Sequence, residues 1–198
     1  CQLLCYGEFT LFEYKGKYTI NEAHALELFQ GLRRELTQLS LGSYFAQVTE
    51  LISQEDMPNP ELQSLLLNCL YAMSSLGEPE NKVKAVFELR AACLAGYTPE
   101  LFGCHICGSQ TPDRFDLSQG QLECHGCRDA ESSGIRVPVS PEMLEAMRYI
   151  CLCGPKRLFS FRLSEQSRRE LNDITESYLS IRLERGFYTL DLYKSLFL

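Results

Sequence analysis

The chain has 198 residues, 45% of them hydrophobic, with 19 basic against 26 acidic side chains and a formal net charge of −7. That apolar fraction supports a packed core and excludes bulk disorder, while the acidic balance argues against nonspecific nucleic-acid binding by the whole surface. There is no run of about 18 apolar residues, so no transmembrane helix is expected.

The start, Cys1-Gln-Leu-Leu-Cys5, has no methionine and no signal-peptide layout. It reads like the middle of a strand, which suggests an N-terminally shortened chain. Residues 2–20 alternate and are rich in aromatics, with Phe9, Leu11 and Glu13 on one face and Thr10, Phe12 and Tyr14 on the other. Lys15-Gly16-Lys17 marks a turn, so a strand, a hairpin and a further strand are expected.

From about Asn21 the period changes. Leu26, Phe29, Leu32, Leu36 and Leu39 recur at three and four residues, which predicts an amphipathic helix. Gly42 is expected to interrupt it before Tyr44, Phe45, Val48, Leu51 and Ile52 resume the stripe. Asn59 then caps a new helix with Pro60 at its first position, and Gly77 stops it. A further helix carries Val83, Val86, Phe87, Leu89, Cys93 and Leu94 and ends at Gly96. Ser140-Pro141 opens a helix to about Leu152, and the last long helix begins near Ser164. The tail after Leu190 is apolar enough to dock into the core.

Between these helices lie Cys104-His-Ile-Cys107 and Cys124-His-Gly-Cys127, sixteen residues apart. Two Cys-x-x-Cys turns at such a separation predict a four-cysteine zinc site. Each turn offers two sulfurs, and Arg114–Cys124 reads as a hairpin joining them. Four thiolates fill the shell of one Zn²⁺ ion and leave no position for water or substrate, so the ion is expected to be structural. It would staple a segment with few apolar residues of its own. His105 and His125 each follow a ligand cysteine and read as substitute ligands, hydrogen-bond partners or exposed turn residues. Cys69 and Cys93 fall on apolar helical stripes and read as small core residues.

No catalytic constellation emerges. There is no Gly-rich phosphate loop or nucleophile elbow, and the carboxylate pairs Glu78/Glu80 and Asp129/Glu131 fall in loops. The chain is therefore expected not to be an enzyme. Its basic clusters are Arg33-Arg34, Lys82 and Lys84 with Arg90, Lys156-Arg157 with Arg162, and Arg168-Arg169. Each reads either as a solvated helix face or as a set of phosphate contacts. Lys156–Arg162 interleaves cations with Phe159 and Phe161, a pattern suited to single-stranded nucleic acid. The helix bearing Lys82, Lys84 and Arg90 is apolar on one side and suits a short acidic, hydrophobic peptide.

Taken in order, several stretches resemble the RecO family of bacterial recombination mediators. They are Ser43–Leu51 (SYFAQVTEL), Pro58–Leu62 (PNPEL), Phe87-Glu-Leu89, Gly96-Tyr-Thr-Pro99, the two cysteine turns, Tyr178-Leu179 and Lys194–Leu198. The Gram-positive branch, with four cysteines, is the most similar. The resemblance implies a mainly α fold: a helical bundle with an inserted four-cysteine zinc-binding element and a few N-terminal strands from an OB barrel. On this reading residues 1–20 are the end of that barrel, 21–97 and 137–198 form the helical domain, and 98–136 form the zinc-binding element.

The resemblance also implies a non-enzymatic role in DNA repair in the bacterial cytoplasm, at the nucleoid and away from membranes. The expected partners are single- and double-stranded DNA, met mainly through the barrel, together with RecR and the C-terminal tail of single-strand-binding protein. Strand annealing and RecA loading follow, RecA being engaged indirectly. Cys104, Cys107, Cys124 and Cys127 carry over as zinc ligands. The helix with Lys82, Lys84 and Arg90 falls in the region of the tail-binding site. The other class that the four cysteines allow is a zinc-ribbon interaction, transcription or assembly factor without direct DNA binding.

Overall fold

The structure is a computed structural model and describes residues 2–127 and 134–197. Cys1, the Asp129/Glu131 pair and Leu198 lie outside those residues. It opens on an antiparallel hairpin of β1 (Tyr6–Tyr14) and β2 (Lys17–Glu27), paired from Tyr14↔Lys17 to Leu11↔Ile20 and, after a register shift between Thr10 and Leu11, on to Gly7↔Ala25. Lys15 and Gly16 form the two-residue turn with φ 51° and 73°. Two left-handed residues give the turn a twist that matches right-twisted strands.

The helix expected from Asn21 is not there. Residues 21–27 instead continue β2, because they pair with Tyr6–Thr10 across the hairpin. After a short 3₁₀ turn at Gln30–Arg33, α1 runs Leu36–Ile52. It passes through Gly42 without a break. Gly42 is buried, and a Cβ there would lie 3.2 Å from Leu70 Cδ2 and 2.5 Å from Leu4 Cδ1, so its small size serves close packing.

The expected caps are where the sequence puts them. The Asn59 side chain accepts from the Leu62 amide at 3.1 Å and opens α2 (Pro60–Tyr71) with Pro60 in its first turn. A π-helical turn over Ala72–Leu76 ends at Gly77 in left-handed backbone. Then α3 runs Glu80–Leu94. After the cysteine insertion, Ser140 caps α4 (Pro141–Leu152) and Ser164 caps α5 (Glu165–Leu183), each accepting from an amide three residues on at 3.2 Å. The tail forms α6 (Tyr188–Ser195), whose Leu190 and Tyr193 are buried.

The centre of the body is α3. Val83 to Leu89 are buried without interruption, with Ala91 and Ala92 beyond them, so the helix has no wet face along that length. It packs on α1, α2, α4 and α5. Phe87 stacks on Phe45 of α1 with ring centroids 4.2 Å apart, and Tyr44 meets Phe187 edge-on at 5.4 Å. Fully burying one such side chain contributes about 1.5–3 kcal/mol.

The insertion between α3 and α4 carries a small antiparallel sheet in the order β4-β3-β5, formed by β3 (Arg114–Asp116), β4 (Gln121–Glu123) and β5 (Arg136–Pro138). Its Phe115 and Leu122 are fully buried. Phe115 packs on Tyr178 of α5 at 5.3 Å, and the Tyr178 hydroxyl donates to the Tyr97 carbonyl at 2.9 Å. The Phe115–Tyr178 pair, together with the Arg148 guanidinium of α4 donating to the Leu101 carbonyl at 2.7 Å, seats the insertion on the helical body.

Candidate functional site

The four cysteines converge. The sulfurs of Cys104, Cys107, Cys124 and Cys127 all lie within 4.8 Å of one another, and Cys107 and Cys124 are 3.9 Å apart. A tetrahedral shell with metal–sulfur bonds of about 2.3 Å spaces its sulfurs at about 3.8 Å. The donor set therefore fits one tetrahedral metal ion.

Backbone turns hold the sulfurs in place. The Cys104 amide donates to the Ser109 carbonyl and the Gly108 amide to the Cys104 carbonyl, both at 2.8 Å. In the second turn the Cys127 amide donates to the Cys124 carbonyl at 3.0 Å, and the β3–β4 hairpin sets the distance between the two turns. The Cys124 amide donates to Cys104 Sγ at 3.4 Å. Burial raises the Cys104 thiol, but the amides of Cys107, Ile106 and Cys124 outweigh it and hold the group at about 6. The neighbouring thiols Cys107 and Cys104, with burial, push Cys127 up to about 12. Metal ligands of this kind are thiolates, so binding a cation expels protons from the cluster.

Both histidines have other partners. His105 Nε2 lies 3.1 Å from Glu123 Oε1, and Arg136 Nε lies 2.5 Å from the other Glu123 oxygen. His125 Nδ1 accepts from Arg114 Nε at 3.1 Å. Asp116 accepts from the Ser118 and Gln119 amides at 2.7 and 3.0 Å and so shapes the hairpin turn. These contacts brace the sheet behind the cysteines.

The basic residues divide by environment. Arg33 donates to the carbonyls of Leu28 and Leu3 and so ties the hairpin to the body, whereas its neighbour Arg34 is exposed. Lys82 pairs with Glu78, donates to the Phe159 carbonyl at 2.9 Å and lies over the Phe161 ring. Arg90 is bound to the carbonyls of Cys151 and Ile150. Lys84 is 2% exposed, at 2.9 Å from Glu88 and 2.8 Å from Glu176. Lys82, Lys84 and Arg90, the trio expected to meet a peptide, are thus each engaged by partners within the chain. Arg169 is paired with Glu165 on an exposed turn of α5.

Lys156, Arg157 and Arg162 are exposed, and among the described residues Arg157 and Arg162 have no ion-pair or hydrogen-bond partner for their guanidinium groups. They flank two adjoining clefts. The first, about 680 Å³, has an apolar floor of Ala146, Tyr149, Leu152 and Phe161, with Arg157 and Arg162 beside it and Glu142 and the Arg148–Glu145 ion pair on its rim. Leu152 is 70% exposed. The second, about 530 Å³, gathers Lys82, Arg162 and Arg168 beside Phe159 and Phe161. Arg168 Nε is buried there with no hydrogen-bond partner.

The family model described as the recombination protein O C terminal matches residues 33–191. The DNA repair protein RecO of Acetivibrio thermocellus is 32% identical over 197 residues, covering 98% of this chain and 78% of its own length. Those of Alkaliphilus metalliredigens and Bacillus subtilis are 26% and 24% identical, covering 98% and 89% of this chain and 80% and 69% of their own lengths.

The chain belongs to the RecO family.

A role in DNA repair follows, and the mainly α body with a four-cysteine insertion is the RecO arrangement anticipated from the motifs. No helix among the described residues is long and apolar enough to cross a membrane. In this RecO-family chain the apolar cleft was missed by sequence reasoning. Tyr149 and Leu152 look like ordinary members of the α4 stripe, and only the return of the chain through Phe161 turns them into a floor. An available signal was Arg148, a cation at the edge of an otherwise apolar stretch.

Proposed function

We propose that this RecO-family chain is a non-enzymatic mediator of recombinational repair, acting at the nucleoid in the bacterial cytoplasm through binding alone. It meets single- and double-stranded DNA, the C-terminal tail of single-strand-binding protein, and RecR. It promotes annealing and, indirectly, RecA loading. The exposed apolar side chains of the β1–β2 hairpin, among them Phe12, Tyr14, Tyr18 and Ile20, support assigning it to the barrel the family resemblance implies. Cys104, Cys107, Cys124 and Cys127 hold one zinc ion, which supplies structure and no reacting position.

The observation that carries this reading is the pair of clefts around Arg162. The larger one combines an apolar floor with arginines, which suits a short acidic peptide ending in an apolar residue and a carboxylate. The smaller one sets cations beside two phenylalanines, which suits a single strand by phosphate contact and base stacking. Arg34 and Lys156, both exposed, extend the cationic contacts to nucleic acid.

Fluorescence anisotropy with a labelled acidic tail peptide and a labelled oligonucleotide separates the two roles. Arg157→Glu is expected to weaken the peptide by about tenfold, or 1.4 kcal/mol, and to spare the oligonucleotide. Arg168→Glu is expected to do the reverse. Unchanged affinity of both ligands in both variants would refute the assignment.

A further inference from the structure

Outside the metal centre a second group of cysteines lies at the base of the insertion. Cys93 is in the last turn of α3 and Cys151 in the last turn of α4. Their sulfurs are 3.7 Å apart across 58 residues of chain, and both residues are half-buried. All four metal ligands lie between them in sequence, so the two thiols sit where the insertion leaves the body and where it returns. Arg90, one turn before Cys93, holds the carbonyl of Cys151 at 2.6 Å and fixes the end of α4 against α3.

We propose that Cys93 and Cys151 form a reversible disulfide in response to peroxide, clipping α3 to α4 beneath the cysteine insertion. The two thiols are unequal. The hydrogen-bond contact with Cys151 pulls the Cys93 thiol down to about 7 against the effect of burial, with Thr98 and Arg90 acting in the same sense. Cys151 is pushed up by the same contact and by burial. Cys93 is the attacking thiolate and Cys151 the resolving thiol.

The Cys93 thiolate attacks one oxygen of hydrogen peroxide. An S–O bond forms, the O–O bond breaks, and hydroxide leaves and is protonated to water. Cys93 is then a sulfenic acid. Cys151 Sγ attacks the Cys93 sulfur, the S–S bond forms, the S–O bond breaks, and the Cys151 proton leaves with the oxygen as a second water. Two thiols are oxidised and one peroxide is reduced to two waters. A small dithiol reverses the step by exchange. To bond, the sulfurs close from 3.7 Å to about 2 Å.

The test uses the full, zinc-loaded chain treated with one equivalent of hydrogen peroxide, alkylated, digested without reductant and mapped by mass spectrometry. The expected product is a peptide pair joined at Cys93 and Cys151, lost on adding dithiothreitol. Cys93→Ser is expected to abolish the link. Cys151→Ser is expected to leave Cys93 as a sulfenic acid that dimedone labels. Should a serine variant fail to fold by circular dichroism, the unmutated chain's map decides. Cys93 still open to alkylation after peroxide would overturn the proposal. So would a first disulfide joining Cys151 to Cys153 or joining cysteines of the metal centre.

Discussion

Cys107→Ser is expected to release the metal ion and unfold residues 98–136 while leaving most helical ellipticity in place. Cys107 is the exposed member of the four, so its own packing contributes little and the loss acts through the ion. A structural zinc ion contributes about 10–16 kcal/mol in isolated zinc-finger peptides. The insertion has little to replace that with. Its buried apolar residues are few, chiefly Leu101, Phe115, Leu117 and Leu122, and its strands are three residues each. The helical body is independently packed around α3, so it survives. Metal analysis, limited proteolysis and far-ultraviolet circular dichroism check this together, and chelation should reproduce the variant. Collapse of the whole helical signal would show that insertion and body fold as one unit.

The second large effect is inside the body. Glu88 is 0% exposed; it accepts from the Tyr44 hydroxyl at 2.9 Å and the Thr175 hydroxyl at 2.8 Å, and it faces Lys84. Lys84 also reaches Glu176, which Lys194 of α6 meets at 2.6 Å. The cluster thus links α1, α3, α5 and α6. Lys84→Met is expected to cost about 3–5 kcal/mol, because it strands a buried carboxylate.

Lys84→Met with Glu88→Leu is expected to cost less than the single change, since an apolar pair of similar volume leaves no orphan charge. The pH dependence follows from the same cause. Burial already raises the Glu88 carboxyl against the pull of Lys84, and losing Lys84 raises it further. A carboxyl raised in the folded state binds a proton that the unfolded chain has released. The single variant should therefore lose stability as pH rises above the ordinary carboxylate range. Urea titrations of both variants across that range are the check, and single-variant losses under about 1 kcal/mol would contradict the stranded-charge argument.

Local chemistry was legible where one residue type does one job. Asn59, Ser140 and Ser164 announced helix starts because their side chains satisfy free amides. The cysteine spacing announced the four-sulfur cluster because two tight turns must each supply two sulfurs. Features set by partners far along the chain were not legible. Leu26, Phe29 and Leu32 keep helical spacing, yet β2 persists to Glu27 because the opposite strand supplies its hydrogen bonds. Lys84 looked like a surface cation, although Glu88 four residues on was a clue. Its other partner, Glu176, is on α5. The apolar cleft and the Cys93–Cys151 pair are likewise assembled only when α4 packs beside α3 and the loop through Phe161 folds back.

The proposed function makes the metal centre a closed staple and puts the working surfaces on the clefts around Arg162. X-ray absorption at the zinc edge of the loaded chain tests that division most directly. A closed site predicts four sulfur neighbours at about 2.3 Å and no lighter atom in the shell. A shell of three sulfurs with an oxygen or nitrogen at about 2.0–2.2 Å would contradict it, because an open position would return the metal to the list of reacting centres.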